Sequence, residues 1–252
     1  MLFQDKKTDI LNVYFTAGYP QLEDTVKILS SLQQAEVDMV EIGIPYSDPL
    51  ADGTTIQESS QVALKNGITL KKVLEQISVA RKQLSIPIIV MGYYNQFLQF
   101  GMDEFIDALG EAGVDGVIIP DLPLKYYEVH YKEKFEKNDI KICFLITPET
   151  ADDRIKEADR LSTGFVYVVA QSSITGGKNE ISEHQLHYFN KIKSMHLASP
   201  TLIGFGIHNK QTFEAACQYA NGAIIGSAFI RHLKTAGINE VTSFIENIKV
   251  DS

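Results

Sequence analysis

Three acidic side chains, Glu41, Asp48 and Asp52, fall within one short stretch of the chain, EIGIPYSDPLADG. Glu41 is unusual because it interrupts an otherwise apolar run, DMVEIG, where a buried strand should carry an apolar side chain. Acid-base chemistry gains from two carboxyl groups in different environments, since a desolvated one holds a proton near neutral pH while a solvated one stays ionised. The pattern therefore predicts that Glu41 transfers protons and that Asp52 is its partner at the same site.

These acids have two other interpretations. An isolated glutamate at a strand end often reaches solvent or pairs with a lysine. Asp48 and Asp52 alone would leave Mg²⁺ mostly bound by water, so we expect no metal site. His184 and His187 could share a helix face, but without a third ligand we expect them to be surface residues.

A second set of residues predicts an anion site. Three later segments carry glycine, and two of them carry hydroxyl side chains as well: AQSSITGGKN, GFGIHNK and GSAFIRH. Glycine lets backbone N–H groups approach an anion, and a helix beginning near Ser227 adds a favourable dipole. Taken one at a time, each of these glycines is better explained by a simple tight turn. The segment TGGK is not a Walker loop, because Ser172 stands where the first glycine is required.

These residues must be positioned by a regular alternation of strands and helices. Eight β-rich runs recur along the chain: ILNVYFT, DMVEIG, PIIVMG, DGVIIP, IKICFLI, GFVYVVA, TLIGFG and GAIIGS. They are nearly continuous in apolar residues, as expected for parallel strands buried on both faces. Amphipathic segments predict helices over residues 22–35, 70–84, 102–112, 152–161 and 210–219. The alternation favours a closed α/β TIM barrel, (β/α)8, over an open doubly wound sheet.

Barrel topology would bring both sets of residues to one mouth. Active sites of such barrels lie at the carboxyl ends of the strands and in the loops that follow, and phosphate often binds after strands seven and eight. Residues 45–57 form an unusually long predicted connection after the second strand. We therefore expect the carboxylates and the glycine-rich loops to face one cavity.

Length and composition bound the remaining possibilities. The 252 residues, with 44% hydrophobic and 22% charged side chains, predict a single barrel domain over residues 1–252. A net charge of −9 argues against nucleic acid and membrane surfaces as partners. Without a membrane-spanning run or a signal peptide, the chain is predicted to be cytoplasmic. Cys143 and Cys217 lie in apolar segments and are expected to be free thiols without a function.

At this level of detail the motifs resemble one family. EIGIPYSDPLADG, together with SITGG, GFGI and IIGSA, is similar to the tryptophan synthase alpha subunit family, nearly from end to end. The resemblance implies retro-aldol cleavage of indole-3-glycerol phosphate to indole and glyceraldehyde 3-phosphate in tryptophan biosynthesis. It also implies an alpha2-beta2 heterotetramer in which a beta subunit receives the indole. No cofactor is implied on this chain, and pyridoxal phosphate is expected on the beta partner only.

The resemblance carries roles onto individual residues. Glu41 is implied to protonate indole C3 and to handle the glycerol hydroxyl proton, while Asp52 holds the indole N–H. A carboxylate facing that N–H would stabilise the cation formed on protonation. Substrate contacts are implied for Tyr14, Tyr93, Tyr167, Thr175, Gly176, Phe205, Gly206, Gly226 and Ser227, with Thr175 also ordering Asp52 when its loop closes. Contact with the beta subunit is implied for Pro45, Asp48 and Asn95, which would couple partner binding to catalytic geometry.

Two positions depart from the family pattern. Ser173 replaces a glycine in the sixth loop, and Thr54 replaces a proline that would stiffen the loop carrying Asp52. Both changes predict a larger population of open loops and hence weak activity of the isolated chain. One alternative is therefore a feeble catalyst that mainly activates a beta subunit. Another is a different phosphate-binding barrel enzyme, but these rely on a lysine or cysteine at strand ends, and Cys143 falls mid-strand.

Overall fold

Eight parallel strands close into a barrel in sequence order, each strand pairing with the next and the eighth with the first. This computed structural model describes residues 2, 6–49, 52–170, 182–204 and 206–249. The eight predicted strands are confirmed, and the open sheet is excluded. The strands are β1 (Ile10–Thr16), β2 (Met39–Gly43), β3 (Ile88–Met91), β4 (Gly116–Ile118), β5 (Lys141–Ile146), β6 (Val166–Val169), β7 (Thr201–Gly204) and β8 (Gly222–Ile225).

Burial on both faces explains the continuous apolar runs. Every residue of β1, β2, β7 and β8 is buried, which leaves little room for the polar alternation of a solvent-facing strand. Parallel pairing places Tyr14 of β1 beside Glu41 of β2, and Tyr167 of β6 beside Leu202 of β7. The register thus fixes which polar side chains meet inside the barrel.

Helices surround the barrel between successive strands. Two predicted helices are reproduced at both ends, over residues 102–112 and 152–161, and the others agree within a few residues. The helices are α1 (Asp24–Gln34), α2 (Thr54–Lys65), α3 (Leu70–Arg81), α4 (Tyr94–Phe100), α5 (Met102–Ala112), α6 (Leu124–His130), α7 (Lys132–Lys137), α8 (Asp152–Leu161), α9 (Glu183–Ser194), α10 (Lys210–Cys217), α11 (Ser227–Thr235) and α12 (Val241–Glu246), with a 3₁₀ turn at Ile238–Glu240.

The connection after β2 is shorter than predicted. Helix α2 begins at Thr54, so the expected loop over residues 45–57 was too long at its end. Thr-Thr-Ile has low intrinsic helix propensity, yet packing of α2 against the barrel overrides it. Consequently Thr54 is the first helical residue and not a loop residue, and Gly53 before it is extended at φ −70° and ψ 163°.

The histidines, the cysteines and the helix lengths bear on three further predictions. His184 and His187 are exposed on α9, as predicted. Cys143 is buried and Cys217 is half-buried, and both are free thiols. The helices in the described part of the chain are each too short or too polar to traverse a lipid bilayer.

Candidate active site

Glu41 lies inside the barrel with no exposed surface. Its Oε2 accepts a hydrogen bond from Asn12 Nδ2 at 3.0 Å, whereas its Oε1 has no partner among the described residues. Burial raises the pKa of Glu41 to about 8, against the opposing bond from Asn12 and with help from the charge of Asp52. Most copies of this carboxyl group are therefore protonated at neutral pH, as proton donation requires.

Asp52 is half-buried just before α2. Burial raises its pKa, while a hydrogen bond from the phenol of Tyr93 lowers it. Gln57, one turn into α2, donates from Nε2 to the carbonyl oxygen of Asp52 at 2.9 Å. These contacts fix both the backbone and the carboxyl group of Asp52.

Two tyrosines complete the polar interior around the carboxylates. The phenol of Tyr14 lies over Gly43 and that of Tyr167 lies over Gly204, so closely that any side chain at either glycine would overlap it. Burial raises the pKa of both phenols, and the charges of Glu41 and Asp52 raise it further. Both tyrosines are thus neutral donors within electrostatic reach of both carboxylates. The structure brings these two tyrosines close to Glu41, Asp52 and Tyr93, the residues that the resemblance assigns to one site.

Asn12 and Thr16 were missed as site residues, although each interrupts the apolar run ILNVYFT. Both are buried on the face of β1 that also carries Tyr14. Thr16 shares a 2.7 Å hydrogen bond with Ser59 of α2, whose hydroxyl donates to the carbonyl of Ile56. This contact ties the strand bearing Tyr14 to the helix that follows Asp52.

The predicted anion site is partly described. Gly206 is exposed with φ +78°, a left-handed conformation that favours glycine, and a Cβ there would meet no atom within 4 Å. Gly226 caps α11, Ser227 is its first residue, and a Cβ at Gly226 would lie 3.4 Å from Tyr14 Cδ1. The start of α11 therefore adjoins the tyrosine that faces Glu41. Other predicted residues lie outside the described ones: Ser173, Thr175, Gly176 and Phe205.

The residues predicted to meet a beta subunit do not share one environment. Asp48 and Asn95 are exposed, but Pro45 is buried, and its carbonyl accepts a 2.9 Å hydrogen bond from Gln96 Nε2. Contact of Pro45 with a beta subunit therefore stays a prediction, which its burial in the single chain does not support. The hydrogen bond from Gln96 holds the backbone at Pro45, three residues before Asp48.

A continuous set of contacts leads from this surface to Asp52. Asn95 Nδ2 donates to the phenol oxygen of Tyr46 at 3.3 Å, and the rings of Tyr46 and Tyr93 lie 5.2 Å apart. Tyr93 in turn donates to Asp52.

Among the described residues no group of three His, Cys, Asp or Glu side chains is arranged to hold a metal ion.

Comparison with known proteins is specific and covers almost the whole chain. A family profile described as tryptophan synthase alpha chain matches residues 2–250. The chain is 50% identical to the tryptophan synthase alpha chain of Flavobacterium psychrophilum over 247 residues, which are 98% of this chain and 97% of that one. It is 49% identical to the alpha chain of Parabacteroides distasonis over 234 residues, covering 93% and 91% of the two chains.

Solved structures agree with this assignment. A chain of the tryptophan synthase complex from Pyrococcus furiosus is 32% identical, with a TM-score of 0.87 and coverage of 96% of this chain and 98% of that one. A mutant tryptophan synthase alpha-subunit from the same organism is 33% identical, with a TM-score of 0.88 and the same coverage.

Proposed function

Because the chain belongs to the tryptophan synthase alpha chain family, we propose that it is the lyase that cleaves indole-3-glycerol phosphate in tryptophan biosynthesis. Its products are indole and glyceraldehyde 3-phosphate. The main support for acid-base chemistry is Glu41. Its carboxyl group is fully buried, has a pKa near 8, and has one oxygen without a partner among the described residues. Among the described residues, neither a lysine nor a cysteine combines this burial with a pKa near neutrality, so the lysine- or cysteine-dependent barrel enzyme is not favoured.

Glu41 begins the reaction protonated and gives its proton to C3 of the indole ring. The bond from C3 to the glycerol carbon then breaks, and its electron pair restores the aromatic ring. The Glu41 carboxylate accepts the proton of the glycerol hydroxyl as that carbon becomes the aldehyde. The proton is thereby returned to Glu41, which explains why one group with a pKa near neutrality serves as both acid and base.

Asp52 holds the indole N–H and stabilises the positive charge that develops on the ring when C3 is protonated. The hydrogen bond from Tyr93 favours the ionised form of Asp52, against the burial that raises its pKa. The phenols of Tyr14, Tyr93 and Tyr167 supply an aromatic and polar wall for the indole. In a site with little water, the attraction between Asp52 and the ring cation is stronger than in solvent.

The phosphate group is held at the start of α11. Gly226 and Ser227 offer backbone N–H groups at a helix N-terminus, where the dipole favours an anion. A Cβ at Gly206 would meet no atom within 4 Å, so the backbone there leaves open space for the phosphate. Thr175, Gly176 and Phe205 are proposed to add contacts from the loops after β6 and β7.

We also propose that this chain, one barrel domain over residues 1–252, works with a tryptophan synthase beta subunit in an alpha2-beta2 heterotetramer. The related Pyrococcus furiosus chain comes from a tryptophan synthase complex, which supports such a partner. Asp48 and Asn95 form the exposed part of the contact, and Tyr46 and Tyr93 relay it to Asp52. This chain itself needs no cofactor, whereas pyridoxal phosphate belongs to the beta subunit.

Indole release from indole-3-glycerol phosphate tests the proposal directly. The isolated chain should release indole slowly. Addition of a beta subunit from a close relative should accelerate release by at least about tenfold, because it shifts the loop that carries Asp52 from open to closed states. Full turnover by the chain alone would contradict the coupling through Asp52. Absence of indole release with and without the partner would contradict the lyase assignment.

A further inference from the structure

Asn12 is a buried amide with no role in the reaction as described above. It lies in the middle of β1, is 0% exposed, and is flanked in sequence by the apolar residues Leu11 and Val13. Its Nδ2 donates to Glu41 Oε2 at 3.0 Å, while its Oδ1 has no partner among the described residues. A buried amide with an unpaired oxygen costs free energy that an apolar side chain of similar size would not.

The groups around Glu41 favour different protonation states of its carboxyl group. The charge of Asp52 on the loop after β2 disfavours the carboxylate, as does burial. Tyr14 of β1, Tyr167 of β6 and Cys143 of β5 are neutral groups whose own ionisation Glu41 opposes. Among the described residues only Asn12 contributes a hydrogen bond that favours the ionised form.

The geometry also decides which oxygen carries the proton. Since Oε2 accepts the N–H of Asn12, it acts as the carbonyl oxygen of the neutral acid. The proton is then placed on Oε1, the oxygen without a partner in the described structure. In the same way a hydrogen bond to one nitrogen of a histidine fixes which nitrogen is free to react.

We propose that Asn12 is a positioning residue that holds the Glu41 carboxyl group with its acidic proton on Oε1, toward the substrate. The inference rests on the proposed lyase function, because it assigns Asn12 to the acid-base step of that reaction. It explains why an amide stands in an apolar strand. It further requires that Asn12 act through Glu41 and not by contact with the substrate.

The test compares Asn12→Leu, which keeps the size but removes the donor, with the wild-type chain in complex with a beta subunit. We expect kcat to fall about 10- to 100-fold with little change in KM, because the acid is misplaced while substrate contacts remain. In a plot of kcat against pH, the falling limb reports the loss of the Glu41 proton. This limb should move about one to two pH units higher, since the hydrogen bond that favours the Glu41 carboxylate is lost. Asn12→Ser, which retains a donor, should move the limb less.

Ser162→Ala is the matched control. It removes another buried hydrogen bond of the barrel, from the backbone N–H of Phe144 to the Ser162 hydroxyl at 3.2 Å. Ser162 lies between α8 and β6, at the end of the barrel where the strands begin, opposite the mouth. It should lower thermal stability without moving the limb. A limb that stays in place in folded Asn12→Leu, or that moves equally in Ser162→Ala, would overturn the proposal.

Direct titration separates this inference from the lyase assignment. The ¹³C signal of the Glu41 side-chain carboxyl group reports its pKa without any turnover, and Glu41→Gln assigns the signal by its loss. A higher pKa in Asn12→Leu supports the positioning role even if indole release fails, which would sink only the proposed function. An unchanged pKa in a folded and active variant would reject the role of Asn12 alone.

Discussion

The phenol of Tyr93, at the end of β3, donates a hydrogen bond to the carboxyl group of Asp52, on the loop after β2. Two neighbouring loops at the barrel mouth are thereby joined through a side chain of the active site. The same tyrosine packs against Tyr46, which receives a bond from the exposed Asn95. A change at the surface therefore has a short physical route to the group that is proposed to hold the indole nitrogen.

Tyr93→Phe tests that route. Loss of the phenol removes the bond that lowers the pKa of Asp52, so the pKa should rise. Because ionised Asp52 is required, the rising limb of kcat/KM should move about one pH unit higher. Tyr94→Phe is the control, since its phenol bonds Tyr131 at 2.6 Å and not Asp52. Equal behaviour of the two variants would exclude the Tyr93 contact from catalysis.

Stability should depend on pH through Glu41. Its pKa is raised from 4.5 in an exposed state to about 8 in the folded chain, so folding binds a proton more tightly. The stabilisation is fully present below pH 4.5 and is lost as the pH rises toward 8. At pH 7 the loss is on the order of 3 kcal/mol. Denaturant unfolding of Glu41→Gln should match wild type at pH 4 and exceed it at pH 8. Parallel stability curves would show that Glu41 is not held neutral.

Ser227→Asp tests the phosphate site. A carboxylate at the first residue of α11 would meet the substrate phosphate as a like charge, so KM for indole-3-glycerol phosphate should rise about tenfold or more. Ser85→Asp adds the same charge at an exposed position before β3, at the opposite end of the barrel, and should leave KM unchanged. Similar KM values for both variants would remove Ser227 from substrate binding.

Thr54→Pro tests the departure from the family pattern. Thr54 is exposed and is the first residue of α2, where proline is well tolerated, and Gly53 has the extended backbone that must precede proline. We expect the free energy of unfolding to rise by about 0.4–1 kcal/mol. We also expect faster indole release by the isolated chain, because the loop carrying Asp52 is stiffer. Thermal unfolding and turnover without a partner measure both effects, and slower release would contradict the loop argument.

The barrel could be predicted from sequence because its strands are buried on both faces and so form unbroken apolar runs. Helix α5 was predicted at both ends since its amphipathic pattern stops at Gly113, which adopts the left-handed conformation at φ +77°. The start of α2 was not predicted, because Thr54 is helical through packing of the helix and not through its intrinsic helix propensity. Glu41 stood out as a charge within an apolar strand, and Asp52 as a second acid in the loop that follows.

The contacts of the site were harder to predict than its residues. Asn12 and Glu41 are 29 positions apart, and their hydrogen bond depends on strand register, which local patterns do not reveal. The resemblance implies that Pro45 meets a partner, yet its side chain is buried and its carbonyl accepts a hydrogen bond from Gln96. Sequence therefore indicated which side chains could react, whereas the structure was needed to show what holds them.

Indole release by Glu41→Gln, in complex with a beta subunit, tests the central claim most directly. The amide has nearly the same shape as the carboxyl group but cannot transfer the proton. The variant should therefore fold and bind substrate, but its turnover should be at least about 1,000-fold lower. A loss of this size is within the range ascribed to acid-base groups. Circular dichroism and binding of the partner would show that the fold is intact. Turnover near the wild-type rate in this folded variant would contradict the account.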